Sequence, residues 1–518
     1  MASKLNTDCL EEIFGFLELD GVGHETTLRS CILHPCILVN RQWCFSAVRI
    51  LWSNPWHFRK DLECVKPSII NTYISTFSKE SKERLIENKI ILQSEAETQP
   101  TFNYAWFLRN LHLFHLEMTL KSWFQSFQQQ RRSGDITMSR GICSINYKLV
   151  FEELLNNFFT TSPCILKLSI SAYDNITCLT NSIEQTPKSI DCLANLRYFR
   201  SSGDLPSMPK LFSLLSNISP NLLKLQIDRY IITEELADLI NAQKDLKEIF
   251  FHKHPSLRHR PLSLSNNKIG TSLINKSRSI KLLEIKGVYF QAQMFSNFEN
   301  LRELYIKICG GMKYTREELL PLAFVSLNHL QKLFWHSTHY IYLDLFPNFF
   351  RNSGKRLKVI TIKGFMISDP KGAGLLINSV AKYCVNLRSF SGPILIENVA
   401  ELTRLLENCN ELQSLSLHPS RKKCYGPQMK GYFDDLMNVL IDQQGGHLSE
   451  LILAHSWTFN IGCFERLMKK FEKLQKKKFN FVCDVNILGD PKLENIVNRF
   501  VELGVLKEID TGFVEFGY

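Results

Sequence analysis

The sequence has 15 cysteines but no Cys-x-x-Cys pair, and no apolar run near the ~18 residues that a membrane helix requires. It also has no leading apolar segment, because Met1 to Ser3 run directly into a polar helix start. These absences predict a chain of a reducing compartment, cytoplasmic or nuclear or both, without a membrane partner. Its cysteines would then act as small core hydrophobes and the sequons at Asn175 and Asn217 would be chance matches. Signatures of catalysis are missing as well. Gly372-Ala373-Gly374 has no third glycine and no preceding dinucleotide-binding strand, Gly354-Lys355 has no upstream phosphate-loop glycine, and there is no Gly-x-Ser-x-Gly elbow. His112-Leu113-Phe114-His115 and His336-Ser337-Thr338-His339 lack cysteine partners at zinc spacing. The sequence therefore predicts a protein that is not an enzyme and carries neither metal nor cofactor.

What is present is apolar mass. Hydrophobic residues make up 44% of 518, with 36 Phe, and charged residues 22%, so global disorder is excluded. That length exceeds one ordinary core and points to several domains or a repeat array. The net charge of +11 mildly favours acidic partners. It falls short of the dense basic stripe of a nucleic-acid binder, and nucleic acid is not an expected partner. The densest run, Lys469, Lys470, Lys473 and Lys476 to Lys478, reads as a solvated helix face. His252, His254, Arg258, His259 and Arg260 form a basic loop and are the main candidates for a phosphate or RNA contact.

Near the start, Leu10, Ile13, Phe14 and Leu17 fall on one face of a short helix, with Asp8 and Glu11 as a capping-box-like entry. Gly21 and Gly23 break the chain. A second apolar stretch runs from Leu28 to Leu33. A third helix carries Val39, Trp43, Ala47, Ile50 and Leu51 on one face and ends at Leu51-Trp52, with Pro55 beyond. Three short helices cannot bury this surface alone, so a partner groove for the surplus is expected.

The residues "LNTDCLEEIFGFL" and "CILVNRQWCFSAVRILWSNPW" resemble the F-box, over roughly a tenth of the chain. Leu5, Leu10, Ile13, Phe14, Leu17, Leu38, Val39, Arg41, Trp43, Leu51 and Trp52 stand at matching places. Asn6 replaces the usual proline. Cys31-Ile32-Leu33 is echoed by Cys36-Ile37-Leu38, which lengthens the approach to the third helix, and Pro35 is expected to break a helix there. The resemblance implies docking on a Skp-type adaptor, and through it a cullin and a RING subunit. It places Leu5, Leu10, Ile13, Phe14, Leu17, Leu38, Val39, Trp43, Leu51 and Trp52 in that contact. A generic helical cap is the plainer reading of the same segment.

Residues 1–58 are thus read as an F-box and 59–144 as a helical connecting or capping segment, since "FNYAWFLRNLHLFHLEMTLKSWFQSF" is too apolar for a linker. From 145 to 518 a pattern of apolar, two others, apolar, one other, apolar recurs at about 21 to 36 residues. Examples are Leu222-Leu225-Ile227, Leu301-Leu304-Ile306, Leu330-Leu333-Trp335 and Leu412-Leu415-Leu417. Several copies open alike: Asn195-Leu196-Arg197, Asn300-Leu301-Arg302 and Asn386-Leu387-Arg388. Helical patterns such as "TEELADLINAQ" lie between. The expected fold is α/β: the short helical F-box followed by a leucine-rich-repeat solenoid, with parallel strands concave and helices convex. An ordinary doubly wound domain would have fewer, longer and continuously apolar strands. The whole resembles F-box/leucine-rich-repeat proteins, particularly fungal ones with irregular repeats.

Strand alternation puts Asp228, Phe250, His252, Glu284, Lys286, Tyr305, Lys307, Phe334, His336, Thr361, Lys363, Ser416, His418 and Ile452 on the sheet face away from the helices. Phe250, His252, Lys286, Tyr305, Lys307, Phe334, His336 and Lys363 group aromatics with cations, a pattern suited to an acidic or phosphorylated protein segment. The expected function is a substrate-recognition subunit of an SCF-type ubiquitin ligase. The alternative is a repeat scaffold or inhibitor without a ligase role, if the duplicated segment before Val39 prevents docking.

Overall fold

A computed structural model of the chain describes residues 6–19, 29–56, 67–91, 99–132, 140–171, 175–202, 206–228, 233–253, 268–309, 312–338, 341–364, 370–419, 432–442, 447–453, 460–473, 479–482 and 491–506. The chain divides into two compact units, Met1–Leu246 and Lys247–Tyr518.

The first unit opens with three helices, α1 (Thr7–Leu19), α2 (Arg29–Ile37) and α3 (Arg41–Ser53). Leu10 and Phe14 of α1, Leu33 of α2 and Ala47 of α3 form their shared core, with Trp43, Ile50 and Leu51 packed against it. The Phe14 and Trp43 rings meet edge to face at 5.3 Å. Arg49 of α3 pairs with Glu11 of α1 at 2.7 Å. Two details differ from the sequence pattern. Pro35 does not break α2, which continues to Ile37. The helix is so short that proline removes one donor near its C-terminal end, and the backbone turns out through Leu38 N–H to Pro35 O at 3.1 Å. The third helix starts at Arg41, not Val39, because the Asn40 side chain accepts from Trp43 N–H at 2.8 Å and caps it.

The connecting segment is built, as its aromatics require. Trp56 Nε1 donates to Thr119 Oγ1 at 3.2 Å and Trp123 Nε1 to Asn71 Oδ1 at 2.6 Å. The buried Glu153 holds Arg84 at 2.5 Å and accepts from Ser81 Oγ at 2.6 Å, joining Lys79–Glu87 to Arg140–Thr161. Strand β1 (Asn110–His112) already lies in this segment, ahead of residue 145, and pairs in parallel with β2 (Lys167–Ser171). β3 (Tyr198–Ser202) and β4 (Lys224–Asp228) follow in the same parallel order.

The second unit carries β5 (Glu248–His252), β6 (Leu282–Lys286), β7 (Glu303–Ile308), β8 (Lys332–Ser337), β9 (Val359–Gly364), β10 (Ser389–Ile394), β11 (Ser414–Pro419), β12 (Glu450–Leu453) and β13 (Asn480–Val482). Within this unit each strand pairs in parallel with its neighbours in sequence. A strand that always returns beside its predecessor needs a crossover every time, and the helices between strands supply it. In the shortest period, between β6 and β7, a 3-10 turn, Ala292–Asn297, stands in for the α-helix, and further 3-10 turns occur at Leu320–Phe324 and Leu343–Leu345. The two spaced apolar residues of each motif are buried, as at Leu304 and Ile306 or Leu415 and Leu417.

The recurring Asn-Leu-Arg tripeptide has a structural cause. The Asn300 side chain donates to Arg278 O at 2.8 Å and that of Asn386 to Lys355 O at 2.9 Å, each reaching back one turn. Asn221, before Leu222, does the same to Ala194 O at 3.0 Å. The leucine is buried, and the arginine carbonyl accepts two N–H bonds from the next turn, as Arg302 O does from Gln331 (2.7 Å) and Lys332 (3.0 Å).

Gly287, just past β6, has φ +67°, and a Cβ there would lie 3.0 Å from Cys309 Sγ and 3.1 Å from Lys253 Cβ. Its N–H donates to Lys307 O at 2.7 Å. Replacement by alanine adds left-handed strain to this crowding and is expected to cost about 1 kcal/mol or more. The thermal midpoint of Gly287→Ala, followed by circular dichroism, should fall; an unchanged midpoint would refute the constraint.

Candidate partner-binding surfaces

Two surfaces follow from these elements. The first is on the N-terminal helices. Leu10 and Phe14 are buried and hold the three helices together, so they are not available to a partner. Trp43 and Leu51 are half-buried against the same core. Trp52 turns toward the unit's own connecting segment, with its ring 5.3 Å from Tyr73 and 4.3 Å from Tyr104. Leu5 lies outside the described residues, as does the side chain of Leu17, which falls within α1. What reaches solvent is Ile13 (45% exposed), Leu38 (85%) and Val39 (53%). Leu38 and Val39 sit in the turn that Asn40 fixes ahead of α3, so the cap that the sequence reading missed also presents these two side chains.

The second surface is on β5 to β9, on the sheet face opposite the buried motif residues. The register lines up two rows. One is Phe250, Glu284, Tyr305, Phe334 and Thr361; the other, two residues further along each strand, is His252, Lys286, Lys307, His336 and Lys363. All eight residues singled out for substrate contact belong to these rows, drawn from segments as distant in sequence as Phe250 and Lys363. Tyr305 and Phe334 stack at 4.9 Å with an interplanar angle of 19°. The Tyr305 hydroxyl donates to Glu303 Oε2 at 2.8 Å, and Lys332 pairs with Glu303 at 3.0 Å. Glu303, absent from the sequence-based selection, stands two residues before Tyr305 and so shares its face.

Not every residue of this face is open. Glu284, Thr361 and Ser416 are buried although alternation points them outward. Glu284 stands beside Tyr305 and Thr361 beside Phe334 on the adjacent strands, and Ser416 stands between Ser391 and Ile452. Asp228 is likewise covered, in the first unit, where Arg200 pairs with it at 2.8 Å. The remaining basic-loop residues, His254 to Arg260, lie outside the described residues, as does His339.

The cations of the second row are tuned by their surroundings. Burial pulls the Lys363 ammonium down to about 8 and, with the nearby Lys286, lowers Lys307. Burial, then the charges of Lys307 and Lys363 on either side, hold the His336 imidazole down to about 4. Burial opposes ionisation of Glu284, but hydrogen bonds from His252 and Lys286 and the charges of both overcome it, so its carboxyl stays below the usual range. His252 Nε2 lies 3.0 Å from Glu284 Oε1, and Lys286 contacts the same oxygen. One end of the row is therefore internally neutralised. The other holds partly dehydrated ammonium groups, to which a carboxylate or phosphate binds at a smaller further desolvation cost.

Among the described residues no group of three or more His, Cys, Asp or Glu is placed to hold a metal ion, and no helix is long and apolar enough to cross a membrane. No family model and no curated protein matches the chain.

The His336 environment makes a signed prediction. In the unfolded chain the imidazole takes its proton near 6.5, in the folded chain only near 4. The unfolded state thus binds the proton first, and stability is expected to drop as pH falls from about 6.5 to about 4. The His336 ring protons should show a neutral imidazole at pH 6 by NMR, and Lys363→Gln should raise the midpoint. A midpoint that stays put in Lys363→Gln would remove the charge coupling.

Proposed function

We propose that this chain is a non-catalytic substrate receptor of an SCF-type ubiquitin ligase, of the F-box/leucine-rich-repeat kind. In this reading α1 to α3 are the F-box and dock on a Skp-type adaptor, which links to a cullin and a RING subunit. The parallel strand–helix turns are leucine-rich repeats that hold a substrate protein for ubiquitin transfer, in the cytoplasm or nucleus. The observation that carries the adaptor half is the aliphatic rim of Ile13, Leu38 and Val39, three large apolar side chains left open beside a helical core that is already filled. Burying each in a partner groove is worth about 1.5–3 kcal/mol. The continuation of α2 through Pro35 favours docking over the scaffold alternative, because the duplicated segment leaves the three helices packed around one core.

The substrate half rests on the two rows of the second unit. The stacked Tyr305–Phe334 pair offers a flat apolar platform, and Lys307 and Lys363 flank His336 one step along the strands. That combination suits a short acidic or phosphorylated segment with an apolar side chain next to its charge.

Full-length chain co-expressed with a Skp-type adaptor is expected to co-elute with it in gel filtration. Ile13→Asp with Leu38→Asp, both exposed and so compatible with folding, should weaken the complex by a hundredfold or more, about 2.7 kcal/mol. A folded wild type that never co-elutes would hand the lead to the scaffold or inhibitor reading.

Tyr305→Ala with Phe334→Ala should separate the two surfaces, since loss of an aromatic hot-spot pair costs roughly 2 kcal/mol per residue. Proteins stabilised by proteasome inhibition and recovered with the wild-type chain should be lost with this variant, while adaptor co-elution stays intact. Unchanged recovery would exclude the β5–β9 face as the capture site.

A further inference from the structure

On the other side of the same strands lies a cavity of about 270 Å³. Ile308 of β7 and Trp335 of β8 form one wall, Leu319, Leu322 and Phe346 line the side toward the helices, and Lys313 stands at the rim. The cavity lies where 3-10 turns stand behind the strands. The 3-10 turns Leu320–Phe324 and Leu343–Leu345 take the place of longer helices and fill less of the space behind β7 and β8. Its lining is mainly aliphatic and aromatic. An apolar cavity of roughly 150 Å³ already stays dry and takes up benzene, so this larger one has room for a bigger apolar molecule.

The rim adds a charge. Lys313 is exposed and has no ion pair or hydrogen bond among the described residues. It is the charged residue of the lining. Tyr314 beside it is buried, and its hydroxyl accepts the Phe290 N–H at 2.8 Å, which leaves the hydroxyl hydrogen for another acceptor. Its ring is fixed by stacking on Tyr289 at 4.5 Å, so the rim is preorganised.

We propose that this cavity is a binding site for a small apolar monocarboxylic acid, whose hydrocarbon fills the space behind β7 and β8 and whose carboxylate pairs with Lys313. A neutral molecule of the same shape would gain the burial but not the ion pair, and a cationic one would meet repulsion. The site stands independently of the ubiquitin-ligase reading. It backs onto the candidate substrate face across β7 and β8, since Ile308 follows Lys307, and Trp335 lies between Phe334 and His336, whose side chains project to the opposite side.

Titration calorimetry of the full chain with octanoate, 1-octanol and octylamine tests this. Octanoate should bind saturably at one site, at least tenfold more tightly than octylamine. Lys313→Glu, a surface change that leaves the fold intact, should weaken octanoate at least tenfold and leave 1-octanol within about twofold. Ile341→Trp, which fills the cavity from its lining, should abolish binding of both in a protein with an unchanged circular dichroism spectrum. Absence of saturable octanoate binding overturns the proposal. So does octanoate affinity that is equal in wild type and Lys313→Glu, or that survives Ile341→Trp.

Discussion

The structure depends on one recurring hydrogen-bond arrangement. The carbonyl just before most of the strands accepts two N–H bonds from the turn that follows. Arg109 O takes Leu166 and Lys167, Leu166 O takes Arg197 and Tyr198, and Arg197 O takes Leu223 and Lys224. In the second unit Lys281 O takes Arg302 and Glu303, and Lys358 O takes Arg388 and Ser389. A shared acceptor fixes the stagger between neighbours at the entry to each strand. Every later residue of the strand then falls into a set register, and with it the rows across the sheet. A slip of one residue would turn the buried leucines out and the lysines in. The first step of the same staircase joins α3 to β1, because Arg109 N–H donates to Ser53 O at 2.9 Å. The N-terminal helices are thus continuous with the strands of their unit through backbone bonds.

Much of this was legible in the sequence, because strand and helix periodicities are local. The apolar positions of the repeat motif and the side of the sheet that Tyr305, Phe334 and His336 occupy could be read from alternation alone. Other features could not. β1 was hidden because Asn110–His112 is three residues long, with a single buried side chain at its centre. The Asn-Leu-Arg tripeptide was visible as a pattern, but its reason lies in a carbonyl one full turn away. The burial of Glu284, Thr361 and Ser416 depends on neighbours some thirty residues distant. Pro35 was overestimated, since a proline near the end of a nine-residue helix has little helix after it to disrupt. In the N-terminal segment, residues that match one pattern do different work: Phe14 and Leu10 fill the core, while Leu38 and Val39 remain outside it.

The charge distribution separates the possible partners of the β5–β9 face. With a net charge of +11 the chain attracts anions generally, and a continuous polyanion would require a continuous run of cations. The rows do not provide one. Lys286 is occupied by Glu284, Lys332 pairs with Glu303 at 3.0 Å, and His336 is held neutral by burial and then by its two lysine neighbours. At that end Lys307 and Lys363 stand on either side of His336, beside an aromatic platform. A nucleic-acid backbone would meet Glu284 and Glu303 within one strand spacing of each favourable contact. A peptide with a single negative group can place that group at the lysines and an apolar side chain on the stacked Tyr305 and Phe334 rings. The carboxylates of Glu284 and Glu303 set among these cations, more than the total charge, support the proposed reading of a short acidic protein segment over a polymer.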